Sequence, residues 1–163
     1  MVADLTDPSL SRDEANGIFQ VLTQQFRVAQ CSGGKLLVLD EAHKYMSGEG
    51  SDGLCKVVVE AARLMRHEGM RIAISTQSPA VLAPELLELL SLAVLHRFHS
   101  HDWFAYLKRK IPLEDEMFDE LLEVQPGQAL VFANRTMNDV SKISRLVVRP
   151  KITADRGRSK ANV

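Results

Sequence analysis

The sequence predicts an α/β fold with a largely parallel sheet flanked by helices. Two apolar runs and the helical stretch between them carry this prediction. The first run covers residues 36–39 and the second covers 72–74. Between them, residues 53–68 place apolar side chains on one helical face and charged side chains on the other. A short unbroken apolar run is typical of a strand buried on both faces, so we expect both faces of the first strand to be covered.

Polar residues follow both apolar runs directly. Asp40 and Glu41 come after the first run, and the second run ends in 75–79, which reads Ser-Thr-Gln-Ser-Pro. The carboxyl ends of the strands are where ligands bind in open α/β sheets. We therefore expect the functional residues at this edge of the sheet.

The other elements follow from periodicity and turn signals. Ser11 and Glu14 form a capping-box pattern before an amphipathic helix that ends near Gln30. We expect further helices at 84–90, 101–110 and 113–124, and strands at 2–5, 92–98, 129–132 and 143–148. The last two strands pair as a C-terminal β-hairpin. Residues 47–53 are typical of a Gly/Ser-rich loop, and a core at 1–150 precedes a basic, disordered tail at 151–163.

The composition is that of an ordinary globular protein. The 163 residues are 45% hydrophobic and 25% charged, with a formal net charge of -1, so no global field attracts nucleic acid. Cys31 and Cys55 lie outside any Cys-x-x-Cys pair, which favours a reducing compartment, cytoplasmic or nuclear. We expect neither a signal peptide nor a membrane span.

An apolar strand that ends in Asp-Glu resembles the Walker B segment of P-loop ATPases. In that family the Asp helps to hold the magnesium ion that bridges the nucleotide phosphates, and the Glu polarises the attacking water. The resemblance implies that Asp40 binds Mg²⁺, through water or directly, and that Glu41 is the catalytic base. One carboxylate must lie near the metal and the next must face the nucleophile, so both are needed at one strand end.

The second strand end is similar to that of the HerA/FtsK class of DNA-pumping ATPases, in which a strand closing in Ser/Thr-Thr-Gln-x-Pro follows Walker B. The resemblance covers roughly residues 2–149 and implies a P-loop NTPase fold of the RecA/ASCE type. It implies that Gln77 is a catalytic sensor near the γ-phosphate, so that Asp40 and Gln77 contact the cofactor. It also implies that Arg97 ends the next strand as a finger toward a neighbouring subunit, although a surface ion pair explains an arginine there equally well.

One motif of the family is missing. No Gly-x-x-x-x-Gly-Lys-Ser/Thr run occurs in the sequence, and the Gly-Gly-Lys at 33–35 leads into a strand instead of a helix. A phosphate cradle needs successive backbone amides and a helix amino terminus. The resemblance therefore implies the carboxyl half of an ATPase core, a P-loop NTPase fragment that binds ATP and Mg²⁺ only together with the missing Walker A part.

In the related fold, the Walker A strand lies between the Gln77 strand and the Arg97 strand. Without it, unpaired backbone groups would line a slot, and each such buried group costs about 1–3 kcal/mol. We expect the slot to be closed by a rearrangement, by a partner strand or by the rest of a longer protein. We also expect this chain alone to lack the family's full strand order.

Three functions remain open, and with them the question of whether the chain is an enzyme. The first is a fragment of a motor that moves DNA or protein through a ring, possibly a hexamer, built by self-association or with a longer ATPase chain. The second is a catalytically inactive, truncated module that assembles with a complete ATPase. The third is a helicase fragment, because residues 40–43 read Asp-Glu-Ala-His. Such helicases show Ser-Ala-Thr at the next motif and need a second motor lobe, which favours the first two.

Weaker candidates lie elsewhere in the chain. A metal site has four candidate ligands, His96, His99, His101 and Asp102. Strand alternation would place the first histidine opposite the other two, and no paired Cys or Glu-x-x-His pattern supports it. Arg63 and Arg66 are candidates for a subunit interface, with helix-surface salt bridges as the plainer interpretation. The basic tail is a candidate for phosphate contacts, as in DNA binding, or for a solvated terminus.

Overall fold

The computed structural model describes residues 2–4, 9–46, 53–134 and 142–149. The chain divides into two compact units, residues 1–90 with 100–113, and residues 91–99 with 114–163. The described helices and strands are, in chain order, α1 (Arg12–Val28), β1 (Lys35–Leu39), α2 (Gly53–Leu64), β2 (Met70–Ile74), α3 (Pro84–Glu88), β3 (Leu92–Leu95), α4 (His101–Lys108), α5 (Met117–Glu123), β4 (Gln128–Ala133) and β5 (Lys142–Val147).

The first helix begins at the capping box that the sequence predicts. The hydroxyl of Ser11 accepts from the Glu14 backbone N–H at 3.3 Å, and the Glu14 carboxylate accepts from the Ser11 backbone N–H at 2.9 Å. The far end of α1 is tied to α2 and to the turn after it. Arg27 Nη2 lies 2.7 Å from Glu68 Oε1, and Arg27 Nη1 lies 3.1 Å from Glu60 Oε2. These ion pairs fix α1 along α2.

In the first unit, β1 and β2 form a two-stranded parallel sheet. The register sets Lys35 opposite Met70 and continues in step to Leu39 opposite Ile74. Gly69 makes the turn into β2 with φ +59°, a left-handed conformation that costs glycine little. The core of this unit packs against one face of the sheet, and its fully or nearly fully buried members are Leu39, Ala42, Met46, Leu54, Cys55, Val58, Ala62, Leu82, Ala83, Leu86 and Leu87.

The opposite face of this parallel sheet is open, which corrects the expectation that β1 is buried on both faces. Leu36 is 60% exposed and Val38 is 59% exposed. Their partners across the sheet, Arg71 and Ala73, are exposed as well. The reason is that burial of the second face depends on a covering layer, which the apolar run cannot specify by itself.

In the second unit, β3, β4 and β5 form a three-stranded antiparallel sheet with β4 in the centre. The expected pairing of the last two strands is confirmed. The expectation of a largely parallel sheet is wrong for this part of the chain, since only β1 and β2 are parallel among the described strands. β4 and β5 are consecutive and joined by a short connection, which favours antiparallel pairing because a parallel pair needs a long crossover, whereas the connection from β3 to β4 is long enough for either direction. Ala129, Leu130 and Phe132 are buried along β4.

Several predicted elements differ from the structure in their bounds or lie outside the described residues. Residues 2–4 form no strand, because Val2 is 94% exposed and has no pairing partner, while Leu5 lies outside the described residues. β3 ends at Leu95, earlier than expected. Most of the predicted loop at 47–53 and the whole tail at 151–163 also lie outside the described residues. Within the described part, β2 and β3 belong to separate sheets, so the family's full strand order is not formed there. No described helix is long and apolar enough to cross a membrane.

Candidate functional site

The carboxyl ends of β1 and β2 are joined by backbone hydrogen bonds that extend beyond the strands. Ser75 donates its backbone N–H to the Leu39 carbonyl at 2.9 Å, and Ala42 donates to the Ser75 carbonyl at 2.9 Å. Because the pair is parallel, both strand ends meet at one edge of the sheet. The two polar clusters predicted from the sequence therefore lie side by side.

Asp40, the first residue after β1, is held by groups from both strands. Its Oδ1 accepts from the Ser75 hydroxyl at 2.5 Å and from the Glu41 backbone N–H at 3.1 Å. That same N–H lies 3.3 Å from the Ser75 hydroxyl oxygen. The side chain of Asp40 remains exposed at the edge of the sheet. The Ser75 hydroxyl and the Glu41 backbone N–H thus orient the Asp40 carboxylate.

Glu41 has a left-handed backbone, with φ 52° and ψ 43°. A residue with a Cβ pays about 1–3 kcal/mol for a sparsely populated conformation, and such residues cluster at functional sites. The reversal starts a 3₁₀ turn at Ala42–Lys44 and turns the Glu41 side chain toward the end of β2. There the Gln77 amide Nε2 donates to both carboxylate oxygens, at 3.2 Å to Oε1 and 3.1 Å to Oε2.

Two side chains of the 3₁₀ turn complete the surroundings of Glu41. His43 Nδ1 accepts the backbone N–H of Gln77 at 3.2 Å, and His43 Nε2 lies 3.6 Å from Glu41 Oε2. Lys44 Nζ lies 3.4 Å from the same oxygen and is 66% exposed. The carboxylate is therefore surrounded by an amide, an imidazole and a solvated ammonium.

Tyr45 anchors the base of this turn to the first helix. Its hydroxyl donates to the Asp40 carbonyl at 2.9 Å, and its ring packs against Phe19 with centroids 5.0 Å apart. Burial, and then the negative charges of Asp40 and Glu41, raise the pKa of Tyr45 to about 12. The phenol therefore stays protonated and remains a donor across the physiological pH range.

The structure brings together three of the four site residues that the sequence predicts, namely Asp40, Glu41 and Gln77. Arg97 is exposed and lies two residues beyond β3, in the second unit. Ser75 and His43 also belong to the site, although the sequence did not single them out. His43 lies in the Asp-Glu-Ala-His sequence at 40–43 and Ser75 in the Ser-Thr-Gln-Ser-Pro sequence at 75–79. Their positions in the sequence do not indicate that each forms a hydrogen bond with the other strand end.

The weaker candidates are not gathered into a site. His96 Nδ1 lies 3.2 Å from the Gln128 carbonyl oxygen. Within the described ranges, no group of three or more His, Cys, Asp or Glu side chains is arranged to hold a metal ion. Arg63 and Arg66 are both exposed, and their place at an interface stays a prediction.

The residues present fit one end of a magnesium nucleotide better than the other. Asp40 offers an exposed carboxylate, and oxygen ligands of this kind suit Mg²⁺ together with water and phosphate. The phosphate end needs successive backbone amides at a helix amino terminus, and the sequence contains no Gly-x-x-x-x-Gly-Lys-Ser/Thr run to supply them. The side chains of the site thus suit the metal ion of a magnesium nucleotide better than its phosphates.

The fold is similar to solved structures of viral packaging enzymes. One is the genome packaging NTPase B204 from Sulfolobus turreted icosahedral virus 2 in complex with AMPPCP, with a TM-score of 0.62 and 16% identity over 85% of this chain and 63% of that chain. The same NTPase in complex with sulfate gives a TM-score of 0.63 and 17% identity over 85% and 65%. B204, the DNA-packaging ATPase from Sulfolobus Turreted Icosahedral Virus, gives 0.56 and 16% over 87% and 63%.

These similarities show that the chain shares the fold of these packaging proteins and nothing finer, because the identities are low. The chain spans less than two thirds of the length of each of these structures. No protein-family model and no curated protein matches the sequence.

Proposed function

We propose that this chain carries the Walker B and sensor part of an ATP-driven motor of the HerA/FtsK class. The observation that carries the proposal is the contact between the two strand ends, where the Gln77 amide donates to both oxygens of Glu41 at 3.2 and 3.1 Å. Beside it, Ser75 orients Asp40. Hydrolysis of a nucleotide needs a metal-binding carboxylate, a group that orients water and a polar sensor at one edge. The likeness of the fold to that of a genome packaging NTPase supports the same assignment.

In this proposal Glu41 orients the attacking water and accepts its proton. Gln77 donates to both carboxylate oxygens, so a phosphate oxygen that recruits this amide would release Glu41 for catalysis. The end of β2 would thereby respond to the state of the nucleotide. Asp40 would hold Mg²⁺, which neutralises charge on the phosphates when bound.

The remaining parts of the motor are proposed to come from outside the described site. A glycine-rich phosphate cradle would come from a longer form of the chain or from a partner. Arg97, which is exposed, would act toward a neighbouring subunit in a ring. DNA is the substrate we favour, since the similar structures are named as genome-packaging and DNA-packaging enzymes.

The test compares binding and hydrolysis of Mg-ATP by this chain, alone and in a longer version that supplies a Walker A loop. Glu41→Gln should reduce the hydrolysis rate by about 100- to 10,000-fold, the usual contribution of a general base, and leave nucleotide binding intact. Glu114→Gln, which removes an exposed carboxylate in the second unit, is the matched control and should retain full activity. Equal turnover in wild type and Glu41→Gln would exclude Glu41 as the base.

A second candidate function is an inactive module that assembles with a complete ATPase. The open face of the parallel sheet favours this second function, because it exposes the apolar residues Leu36, at 60%, and Val38, at 59%. The missing phosphate cradle favours it too. Failure of both the chain and its longer version to bind Mg-ATP would select this candidate over the first.

A further inference from the structure

His43 connects the two strand ends through both of its ring nitrogens. Nδ1 accepts the Gln77 backbone N–H at 3.2 Å, and Nε2 lies 3.6 Å from Glu41 Oε2. The backbone around His43 is firmly placed, because its neighbour Ala42 and the nearby Met46 are fully buried. The imidazole itself is 22% exposed, so it is a surface-lining group and not a core residue.

The hydrogen bond from Gln77 fixes the tautomer of His43. A nitrogen that accepts a hydrogen bond carries no proton, so the proton of the neutral ring lies on Nε2. That N–H faces the carboxylate of Glu41. His43 therefore accepts from the β2 end and presents a donor toward the β1 end.

We propose that His43 is a positioning residue that holds the backbone of Gln77 in the place where its side-chain amide reaches both oxygens of Glu41. The link acts on the backbone N–H of Gln77, the same residue whose side-chain amide contacts the carboxylate. Without the hydrogen bond from Gln77 to His43, the turn after Thr76 loses this attachment to the 3₁₀ turn. The side-chain amide of Gln77 then starts from a backbone that is free to move. The catalytic consequence of this role rests on the proposed ATPase function, and the structural consequence does not.

Two substitutions separate the two ring nitrogens. His43→Asn places an amide oxygen where Nδ1 lies, and so keeps an acceptor for the Gln77 backbone N–H. His43→Gln extends its amide toward the position of Nε2 and keeps the group that faces Glu41. His43→Ala removes both, and His67→Ala removes an exposed histidine of the same unit as the matched control.

The first measurement is NMR on the full chain without nucleotide. The ¹⁵N pattern of His43 should be that of the Nε2–H tautomer. Loss of one hydrogen bond of ordinary strength should speed exchange of the Gln77 backbone amide by about 2- to 10-fold in His43→Ala. Protection should persist in His43→Asn and in His67→Ala. A Nδ1–H tautomer, or unchanged exchange in a folded His43→Ala, would overturn the proposal.

The second measurement is the rate of ATP hydrolysis by the same variants made in the longer version that supplies a Walker A loop. His43→Ala should lower kcat by about 10- to 100-fold, as the loss of an orienting partner usually does, with little change in KM. Recovery of most of this loss by Asn and not by Gln supports the role of Nδ1, and the reverse pattern overturns it. If the wild-type longer version shows no hydrolysis, the proposed function fails, and the amide exchange alone decides the role of His43.

Discussion

The two sheets differ in what their strand ends bring together. In the parallel sheet, residues 36 positions apart in the chain meet, as Glu41 and Gln77 show. In the antiparallel sheet, the polar contacts include one between His96 and the Gln128 carbonyl and a 3.9 Å ion pair between Arg145 and Glu120. Parallel strands send their carboxyl ends to the same edge, whereas antiparallel strands alternate them. Strand direction therefore explains why the candidate site lies in the first unit.

The sheets differ also in how their central apolar residues are covered. Leu130 on β4 is 1% exposed, whereas Leu36 on β1 is 60% exposed. β4 has a strand on each side, while β1 pairs only with β2 among the described strands. The antiparallel sheet thus has a packed central strand, and its exposed apolar residues, such as Leu92 and Val147, lie on its edge strands. The parallel sheet instead exposes Leu36 and Val38 on one face.

The largest expected effect tests this difference in coverage. Leu130→Ala should lower the free energy of unfolding by about 2–5 kcal/mol, because it leaves a cavity in a packed site. Leu36→Ala should change it by no more than about 0.5 kcal/mol, as an exposed substitution does. Urea titrations of both variants check the comparison. Equal losses would mean that the face of Leu36 is buried in solution, for example by self-association.

A smaller effect concerns the ion pairs that hold α1 to the parallel unit. Hydrogen bonds from Arg27 lower the pKa of Glu68 below its usual 4.5. The lowered pKa means that the ionised Glu68 stabilises the fold above pH 4.5, and that this stabilisation is lost as the pH falls through the lowered value. Arg27→Met should cost about 1.5–3 kcal/mol at neutral pH, the usual contribution of hydrogen bonds between charged groups.

The same variant should flatten the acid limb of the stability curve. Unfolding free energies measured from pH 3 to pH 7 should fall less steeply for Arg27→Met than for wild type. Lys56→Met, an exposed cation on α2, is the control that should keep the wild-type slope. Parallel curves for wild type and Arg27→Met would contradict the assignment.

The smallest expected effect lies at the strand ends themselves. Ser75→Ala removes the hydroxyl that donates to Asp40 and should cost about 0.5–1.5 kcal/mol, the net value of one hydrogen bond. Ser75→Thr keeps the hydroxyl and should restore most of that stability. Thermal unfolding of the two variants provides the measurement. A loss in Thr equal to that in Ala would show that the hydroxyl is not the cause.

Much of the first unit could be predicted from the sequence, because the signals there are local. The capping box of Ser11 and Glu14 spans four residues and forms as expected. The apolar runs locate β1 and β2, and the polar residues that follow them are carried to the strand ends by the chain itself. The resemblance suggested which of these residues matter. Their catalytic roles stay predictions, although Asp40, Glu41 and Gln77 do lie together.

The sequence by itself located β1 and β2 and determined which polar residues follow them, since apolar spacing and covalent order decide both. Only the tertiary structure decided that Leu36 and Val38 lie open, that β3 pairs antiparallel with β4, and that His43 accepts from Gln77. Each of these depends on a neighbour distant in the chain, or on the lack of one. Local pattern carries no information about such neighbours, because the same apolar run can form either a covered or an open strand.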